Sequence, residues 1–126
     1  MSSLKALLDS SVWIEIFNEG PLAKNCLKIL KNADQVYVPT LVIFEVYKKI
    51  TSVRSEDQAL SAVATMSQFE VLDLTRETAL SAADISLQKK LAMADSFVLA
   101  HAYQQGAAFF TLDNDFSGLS GVTVLR

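Results

Sequence analysis

Short apolar runs alternate along the chain with longer segments in which apolar residues recur at helical spacing. The runs suited to β-strands cover residues 5–8, 36–38, 69–72, 107–112 and 122–125. The segments with helical spacing cover residues 12–17, 22–30, 41–50, 55–66, 75–90 and 91–102. Strands that alternate with helices favour a parallel sheet covered by helices on both faces and joined by right-handed crossovers. The pattern therefore predicts an α/β fold with three layers.

Polar residues and one glycine mark the ends of several predicted helices. The Asp-Ser-Ser group at residues 9–11 is suited to capping the first helix. Ser55 followed by Gln58 is a capping-box pattern, which predicts a helix start at that point. Gly106 ends the last helix, because glycine adopts the left-handed conformation without strain.

The last predicted helix and the strand after it determine where two aspartates lie. Asp95 stands near the start of the helix, and Asp113 directly follows the strand. About thirteen helical residues at ~1.5 Å each and about six strand residues at ~3.3 Å each both span roughly 20 Å. The helix runs away from Asp95 and the strand returns over the same length. The two carboxylates are therefore predicted to lie close together.

Four acidic residues are predicted to meet at one edge of the sheet. Open parallel sheets bind ligands outside the carboxyl ends of their strands, and Asp9 and Asp113 each follow a strand. Glu45 comes within roughly two helical turns of the second strand, and Asp95 lies near Asp113 because the helix and the strand have matching lengths. Neighbouring carboxylates repel unless a cation lies between them, and oxygen ligands suit Mg²⁺ or Mn²⁺. Because such an ion polarises phosphodiesters and acidifies bound water, the chemistry expected is phosphodiester hydrolysis.

Each acidic residue also has an interpretation that needs no metal. Asp9 and Asp113 are suited to capping a helix or a turn, and Asp95 would complement a helix dipole. Glu45 would point to solvent from the flank of its helix. The convergence of all four residues, rather than any one of them, favours the metal site.

Composition indicates one domain over residues 1–126 and excludes a broad basic surface. The chain is 51% hydrophobic with a mean hydropathy of +0.28, which is enough for a core. The net charge is −3 and the pI about 5.0, so any nucleic-acid contact must be local. The single cysteine, Cys26, excludes a disulfide within the chain. Residues 1–8 lack a signal-peptide core and no apolar run approaches ~18 residues, so we expect a cytoplasmic protein without a membrane partner.

Four motifs resemble those of the PIN-domain family, in the same order and at similar spacing over nearly the whole chain. They are LLDSS (7–11), PTLVIFE (39–45), ADSFVLA (94–100) and TLDNDF (111–116). The resemblance is closest to the small VapC-type toxin ribonucleases. It implies a five-stranded parallel sheet in the order 3-2-1-4-5, Mg²⁺- or Mn²⁺-dependent endoribonuclease activity, a homodimer and a small antitoxin partner.

The resemblance also implies roles for particular residues. The implied catalytic metal ligands are Asp9, Glu45, Asp95 and Asp113, and the implied supporting polar residues are Ser11 and Thr111. Ser11 stands where the family often has asparagine, which is a mild departure. Asp115 is a second candidate beside Asp113, which we prefer because it follows the strand most directly. The alternative for Asp115 is structural, with the Phe116 ring in the core and the carboxylate capping a turn.

Several basic residues near the acid-bearing segments are candidate contacts to RNA phosphates. They are Lys48, Lys49, Arg54, Lys89 and Lys90. Taken alone, these residues are more typical of solvated helix faces. We expect Trp13 and Tyr47 to pack in the core or at a dimer surface, and His101 to be structural.

Two rival functions stay open, and two others are disfavoured. A non-catalytic α/β interaction module would bind no divalent ion at the acidic cluster. A PIN nuclease of RNA maturation would act without an antitoxin. A phosphoaspartyl phosphatase would need an aspartate where Ser11 stands, and a nucleotide-binding fold would need glycines after the first strand, where there are none.

Overall fold

A computed structural model describes residues 3–126, in which five strands alternate with six helices. The strands are β1 (Lys5–Leu8), β2 (Gln35–Pro39), β3 (Glu70–Leu72), β4 (Ala108–Thr111) and β5 (Val122–Val124). The helices are α1 (Ser10–Phe17), α2 (Ala23–Asn32), α3 (Thr40–Val53), α4 (Glu56–Met66), α5 (Arg76–Lys89) and α6 (Met93–Gln105). One 3₁₀ turn, Asn114–Phe116, follows β4.

All five strands are parallel and lie in the order β3-β2-β1-β4-β5. The central strand β1 places Leu7 between Tyr37 of β2 and Phe109 of β4. Parallel pairing brings the carboxyl ends of the strands to one edge of the sheet, and the chain turns into α1 and α3 there. The predicted α/β class and the strand order implied by the resemblance are both confirmed.

Local capping groups start or end several of the helices at or close to the predicted positions. The Ser55 hydroxyl accepts a hydrogen bond from the Gln58 backbone N–H at 3.1 Å, as the capping box predicts. Gly106 ends α6 with φ at +63°, in the left-handed region. The first helix begins earlier than predicted, at Ser10, because the Asp9 carboxylate itself caps it through the Val12 N–H.

Helix α6 is buried on more sides than its sequence pattern predicts. It packs against α5, α3 and the two strands β1 and β4. Val98, Leu99 and Ala102 are buried, whereas Met93, another apolar residue of the same helix, is 73% exposed. Met93 is the first residue of the helix and lies at the open edge of the fold, so no neighbouring element covers it.

Aromatic residues fill the core on both sides of the sheet. Trp13 is fully buried, with its ring 5.9 Å from that of Phe17, so it is a core residue rather than a surface one. Tyr47 is only partly buried against the core. His101 is 3% exposed within α6, and burial lowers its pKa, which fits the expected structural role. Among residues 3–126, no helix has both the length and the apolar character to span a membrane.

Candidate metal centre

Three aspartates meet at the carboxyl edge of the sheet. Asp95 lies in the first turn of α6, while Asp113 caps the 3₁₀ turn after β4 and Asp115 lies within it. One carboxylate oxygen from each of the three lies within 4.8 Å of the other two. The predicted proximity of Asp95 and Asp113 is confirmed, and Asp115 joins them.

The turn after β4 is capped by Asp113 and not by Asp115. The Asp113 Oδ1 atom accepts a hydrogen bond from the Asp115 backbone N–H at 2.9 Å. The alternative in which the Asp115 carboxylate caps the turn is therefore wrong. The same alternative placed Phe116 in the core, which is correct, since its ring lies 4.9 Å from that of Phe109. Packing of Phe116 below the turn holds both aspartates at the edge facing Asp95.

Asp9 is a buried carboxylate held by hydroxyl groups from two elements. It is 8% exposed, and its backbone N–H donates to the Phe110 carbonyl at 3.1 Å. The Ser11 hydroxyl donates to Oδ1 and the Thr111 hydroxyl donates to Oδ2, both at 2.5 Å. With the Val12 N–H, these three donors occupy three of about four lone-pair positions and leave room for one further ligand.

The hydroxyls of Ser11 and Thr111 also bind the backbone that carries the other aspartates. Ser11 Oγ accepts from the Leu112 N–H, and Thr111 Oγ1 accepts from the Asp113 N–H, each at 3.0 Å. Each hydroxyl thus accepts from the turn after β4 and donates to Asp9. No local sequence signal reveals the link from Ser11, because Ser11 and Leu112 are 101 residues apart.

Glu45 lies beside the cluster but outside the group of three aspartates. It is half-buried in the second turn of α3, and burial raises the pKa of its carboxyl group. The nearby Ser10 hydroxyl lowers that pKa, and the charges of Asp95 and Asp9 raise it further. These effects place Glu45 within electrostatic reach of both residues.

The cluster carries more negative charge than its surroundings compensate. Burial raises the pKa of Asp9 and of Asp95, and hydrogen bonds from Ser11 and Thr111 partly oppose the shift at Asp9. At Asp95 the charges of Asp113, Asp9 and Asp115 raise the pKa further. Among the described residues, no lysine or arginine acts on the pKa of Asp9, Glu45 or Asp95. An all-oxygen donor set with uncompensated charge fits a hard divalent cation.

The raised pKa values predict how the metal-free protein responds to pH. Since the folded state disfavours the charged form of Asp95, its negative charge destabilises the fold at neutral pH. That destabilisation is lost as pH falls through the raised folded pKa toward the unfolded value of about 3.9. We therefore expect the melting temperature in chelator to rise as pH falls from neutrality through the raised folded pKa toward about 3.9. The rise should be smaller for Asp95→Asn, and an equal rise in both proteins would contradict the assignment.

The candidate RNA-contacting residues lie in three different places. Lys48 and Lys49 are exposed and line a cavity of about 320 Å³ together with Glu45. Arg54 is at the far end of α3, where its Nε atom donates to Asn18 Oδ1 at 2.9 Å. Lys89 and Lys90 are exposed at the end of α5, just ahead of α6. Lys48 and Lys49 therefore share a cavity with a candidate site residue.

A parallel sheet in this order, with carboxylates where β1 and β4 end, defines a doubly wound α/β domain with a candidate metal site at its topological switch point. The family model of the PIN domain matches residues 6–122. The chain therefore belongs to the PIN domain family.

Solved structures of similar fold include components of toxin–antitoxin pairs. A toxin–antitoxin complex from Klebsiella pneumoniae has a chain that aligns with a TM-score of 0.81 and 23% identity, covering 94% of this chain and 96% of that one. VapBC2 from Rickettsia felis, bound to a promoter DNA fragment, aligns with a TM-score of 0.78 and 15% identity, covering 98% of this chain and 100% of that one. VapC20 from Mycobacterium tuberculosis, a sarcin–ricin loop cleaving toxin, aligns with a TM-score of 0.75 and 18% identity, covering 93% of this chain and 98% of that one. No curated protein sequence gives a significant match.

Proposed function

We propose that this PIN domain is a Mg²⁺- or Mn²⁺-dependent endoribonuclease and the toxin of a VapBC-type toxin–antitoxin pair. The observation that carries the proposal is the meeting of Asp95, Asp113 and Asp115 within 4.8 Å, beside the buried Asp9. The resemblance in fold to a sarcin–ricin loop cleaving toxin supports RNA as the substrate. An enzyme that cleaves cellular RNA would act in the cytoplasm.

The residues of the cluster have distinct proposed roles. Those that would hold the ion are Asp9, Glu45, Asp95 and Asp113, with Asp115 as a further candidate. A bound Mg²⁺ or Mn²⁺ would stabilise charge on the phosphodiester and lower the pKa of a water. The hydroxyls of Ser11 and Thr111 hold the Asp9 carboxylate in one orientation and would leave a lone pair for the ion.

The experiment that tests this function is cleavage of a mixed pool of structured and unstructured RNA by the purified chain. We expect cleavage with Mg²⁺ or Mn²⁺ and none after chelation. Absence of cleavage by antitoxin-free protein would favour a non-catalytic interaction module instead.

The proposal includes a small antitoxin with an apolar segment. A cavity of about 680 Å³ lies between α3 and α4, and its apolar lining residues are Ile43, Phe44, Tyr47, Leu60 and Val63. Several structures similar to this chain are of toxin–antitoxin or VapBC proteins. A cavity of this size and composition would accept apolar side chains from a helix of the partner.

Leu60→Glu should disrupt binding of the antitoxin. Leu60 is 51% exposed in α4, so glutamate can be solvated in the free protein but would be desolvated under an apolar partner segment. We expect co-purification with a co-expressed partner to be lost and RNA cleavage by the free chain to be unchanged. Leu74→Glu, a similar change at a residue also 51% exposed but outside this cavity, is the control. A variant that retains its partner would contradict the assignment of this surface, and a chain that never acquires one would favour a nuclease of RNA maturation.

The proposed homodimer has a candidate surface on α5. Leu80 and Leu87 are 64% and 80% exposed and lie about two turns apart on one side of the helix. Such exposed leucines favour burial against a second copy of the chain.

A further inference from the structure

Phe44 is an exposed aromatic residue next to a candidate metal ligand. Its side chain is 58% exposed, although α3 buries its neighbours Val42 and Val46 completely. Phe44 and Glu45 line the same cavity of about 320 Å³. The ring is therefore available to a molecule that also reaches the acidic cluster.

Two lysines lie one helical turn beyond these residues. The Lys48 Nζ atom is 5.7 Å from the centre of the Phe44 ring, in cation–π contact. Lys49 follows Glu45 by the same helical spacing and lines the same cavity. Both ammonium groups are exposed in a protein whose net charge is −3. The cavity thus combines a π-face, two positive charges and the edge of a candidate metal site.

We propose that Phe44 stacks on an unpaired base of a single-stranded RNA substrate while Lys48 and Lys49 bind the adjoining phosphates. This inference rests on the proposed ribonuclease activity. The nucleotide on Phe44 would lie next to the phosphodiester held at the carboxylates, because Glu45 belongs to both sites. Phe44 is therefore a specificity-determining residue that selects substrates with an accessible base at this position.

The charges of the cavity favour RNA over an apolar protein segment as its occupant. Bases in a duplex are stacked on both faces, so an aromatic side chain stacks only on a base that is splayed out or unpaired. Lysines bind phosphate as point charges, which matches a phosphate on either side of a stacked base. An apolar segment would instead leave both ammonium groups desolvated without a partner. The neighbouring cavity, which reaches Leu60, shares Phe44 and Lys48 with this one but contains neither Glu45 nor Lys49. Its additional lining residues are mostly apolar, so it suits such a segment better.

Fluorescence of 2-aminopurine in single-stranded RNA tests base stacking without cleavage. The binding protein is the Asp95→Asn variant, which the proposed function makes inactive, and 2-aminopurine is placed at successive positions of a mixed-sequence oligonucleotide. We expect stacking to quench one position, with the quenching lost in Asp95→Asn/Phe44→Ala and retained in Asp95→Asn/Phe44→Trp. A Leu74→Ala change in the same background is the matched control, because Leu74 is exposed and lies outside both cavities, and it should leave the quenching intact.

Cleavage kinetics supply the second readout, in protein with an intact metal centre. Phe44→Ala should lower kcat/KM by about five- to 150-fold, since stacking on an aromatic is worth ~1–3 kcal/mol per base. An abasic site at the quenched position should lower wild-type kcat/KM by a similar factor. Combining the two changes should produce little further loss, because both remove the same contact. Phe44→Trp keeps an aromatic ring at this position and should retain most of the wild-type kcat/KM.

The outcomes separate this inference from the proposed function. Wild-type cleavage with no dependence on Phe44, or additive effects of Phe44→Ala and the abasic site, would overturn the stacking site and leave the nuclease intact. Quenching that depends on Phe44 in a chain that never cleaves RNA would support the stacking site and contradict the nuclease. Loss of partner binding with normal RNA binding in Phe44→Ala would assign the residue to the protein interface and overturn the inference.

Discussion

Asp95→Asn should reduce metal-dependent RNA cleavage by at least about a hundredfold, since loss of a residue that merely supports a metal ligand already costs about 10- to 100-fold. Asp95 is well suited to this test because no hydrogen bond from the described residues acts on its carboxylate. Its replacement by the nearly isosteric asparagine removes a charged ligand without removing a structural link. The measurement is the initial rate of RNA cleavage at saturating Mg²⁺ or Mn²⁺.

Asp9→Asn should reduce RNA cleavage by a similar factor, but it should also affect the stability of the fold. The Asp9 carboxylate accepts from Ser11, Thr111 and Val12, so asparagine would replace a charged acceptor with a neutral amide and destabilise the protein as well. Melting temperatures of both variants therefore accompany the rates. The loss is assigned to the site if Asp95→Asn is inactive while fully folded.

Asp57→Asn is the matched control for both changes. Asp57 is an exposed aspartate in the first turn of α4, beyond the far end of α3 from Glu45. The substitution removes one negative charge from the protein but none from the cluster, so RNA cleavage should stay at the wild-type rate. Equal cleavage by wild type, Asp95→Asn and Asp9→Asn would identify a contaminating nuclease and remove the support for this site.

Mn²⁺ should raise the melting temperature of the wild-type protein by roughly 10 °C when its concentration is about a hundred times Kd. Binding to the folded state alone adds about 2.7 kcal/mol under that condition. Per-residue unfolding entropies convert this free energy into the stated shift for a chain of 126 residues. The physical source is relief of repulsion among Asp9, Asp95, Asp113 and Asp115.

The same experiment on Asp95→Asn separates metal binding from a general effect of salt. This variant should lose most of the Mn²⁺-dependent shift, while in chelator it should be at least as stable as wild type, because one repelling charge is gone. Asp57→Asn should keep the full shift. A wild-type melting temperature unmoved by millimolar-scale Mn²⁺ would count heavily against the cluster as a metal site.

Much of the fold follows from local patterns that a single sequence displays. The strand β1 lies over the predicted residues, and the helix ends at Ser55 and Gly106 are held by the capping groups that predict them. Such boundaries depend on hydrogen bonds between residues only a few positions apart. The burial of α6 was less predictable, because Met93 differs from the buried Leu99 in its tertiary position and not in its hydrophobicity.

The candidate site could be predicted in part, because some of its geometry depends only on the lengths of neighbouring elements. The proximity of Asp95 and Asp113 follows from the lengths of one helix and one strand, which the sequence contains. The cap at Asp113 and the entry of Asp115 into the cluster depend on a 3₁₀ turn whose shape is set by Phe116 packing on Phe109. That packing contact has no periodic signature.

Local patterns predict the alternation of strands and helices and place Asp9 and Asp113 at strand ends, because hydrophobic periodicity and caps act over a few residues. The packing of distant elements sets which groups hold Asp9, how Glu45 lies relative to the aspartates, and that Phe44 is exposed beside the cluster. Thr111 meets Asp9 across 102 positions of the chain. Contacts of that kind depend on how crossovers and packing bring distant elements together, and no short stretch of sequence encodes them.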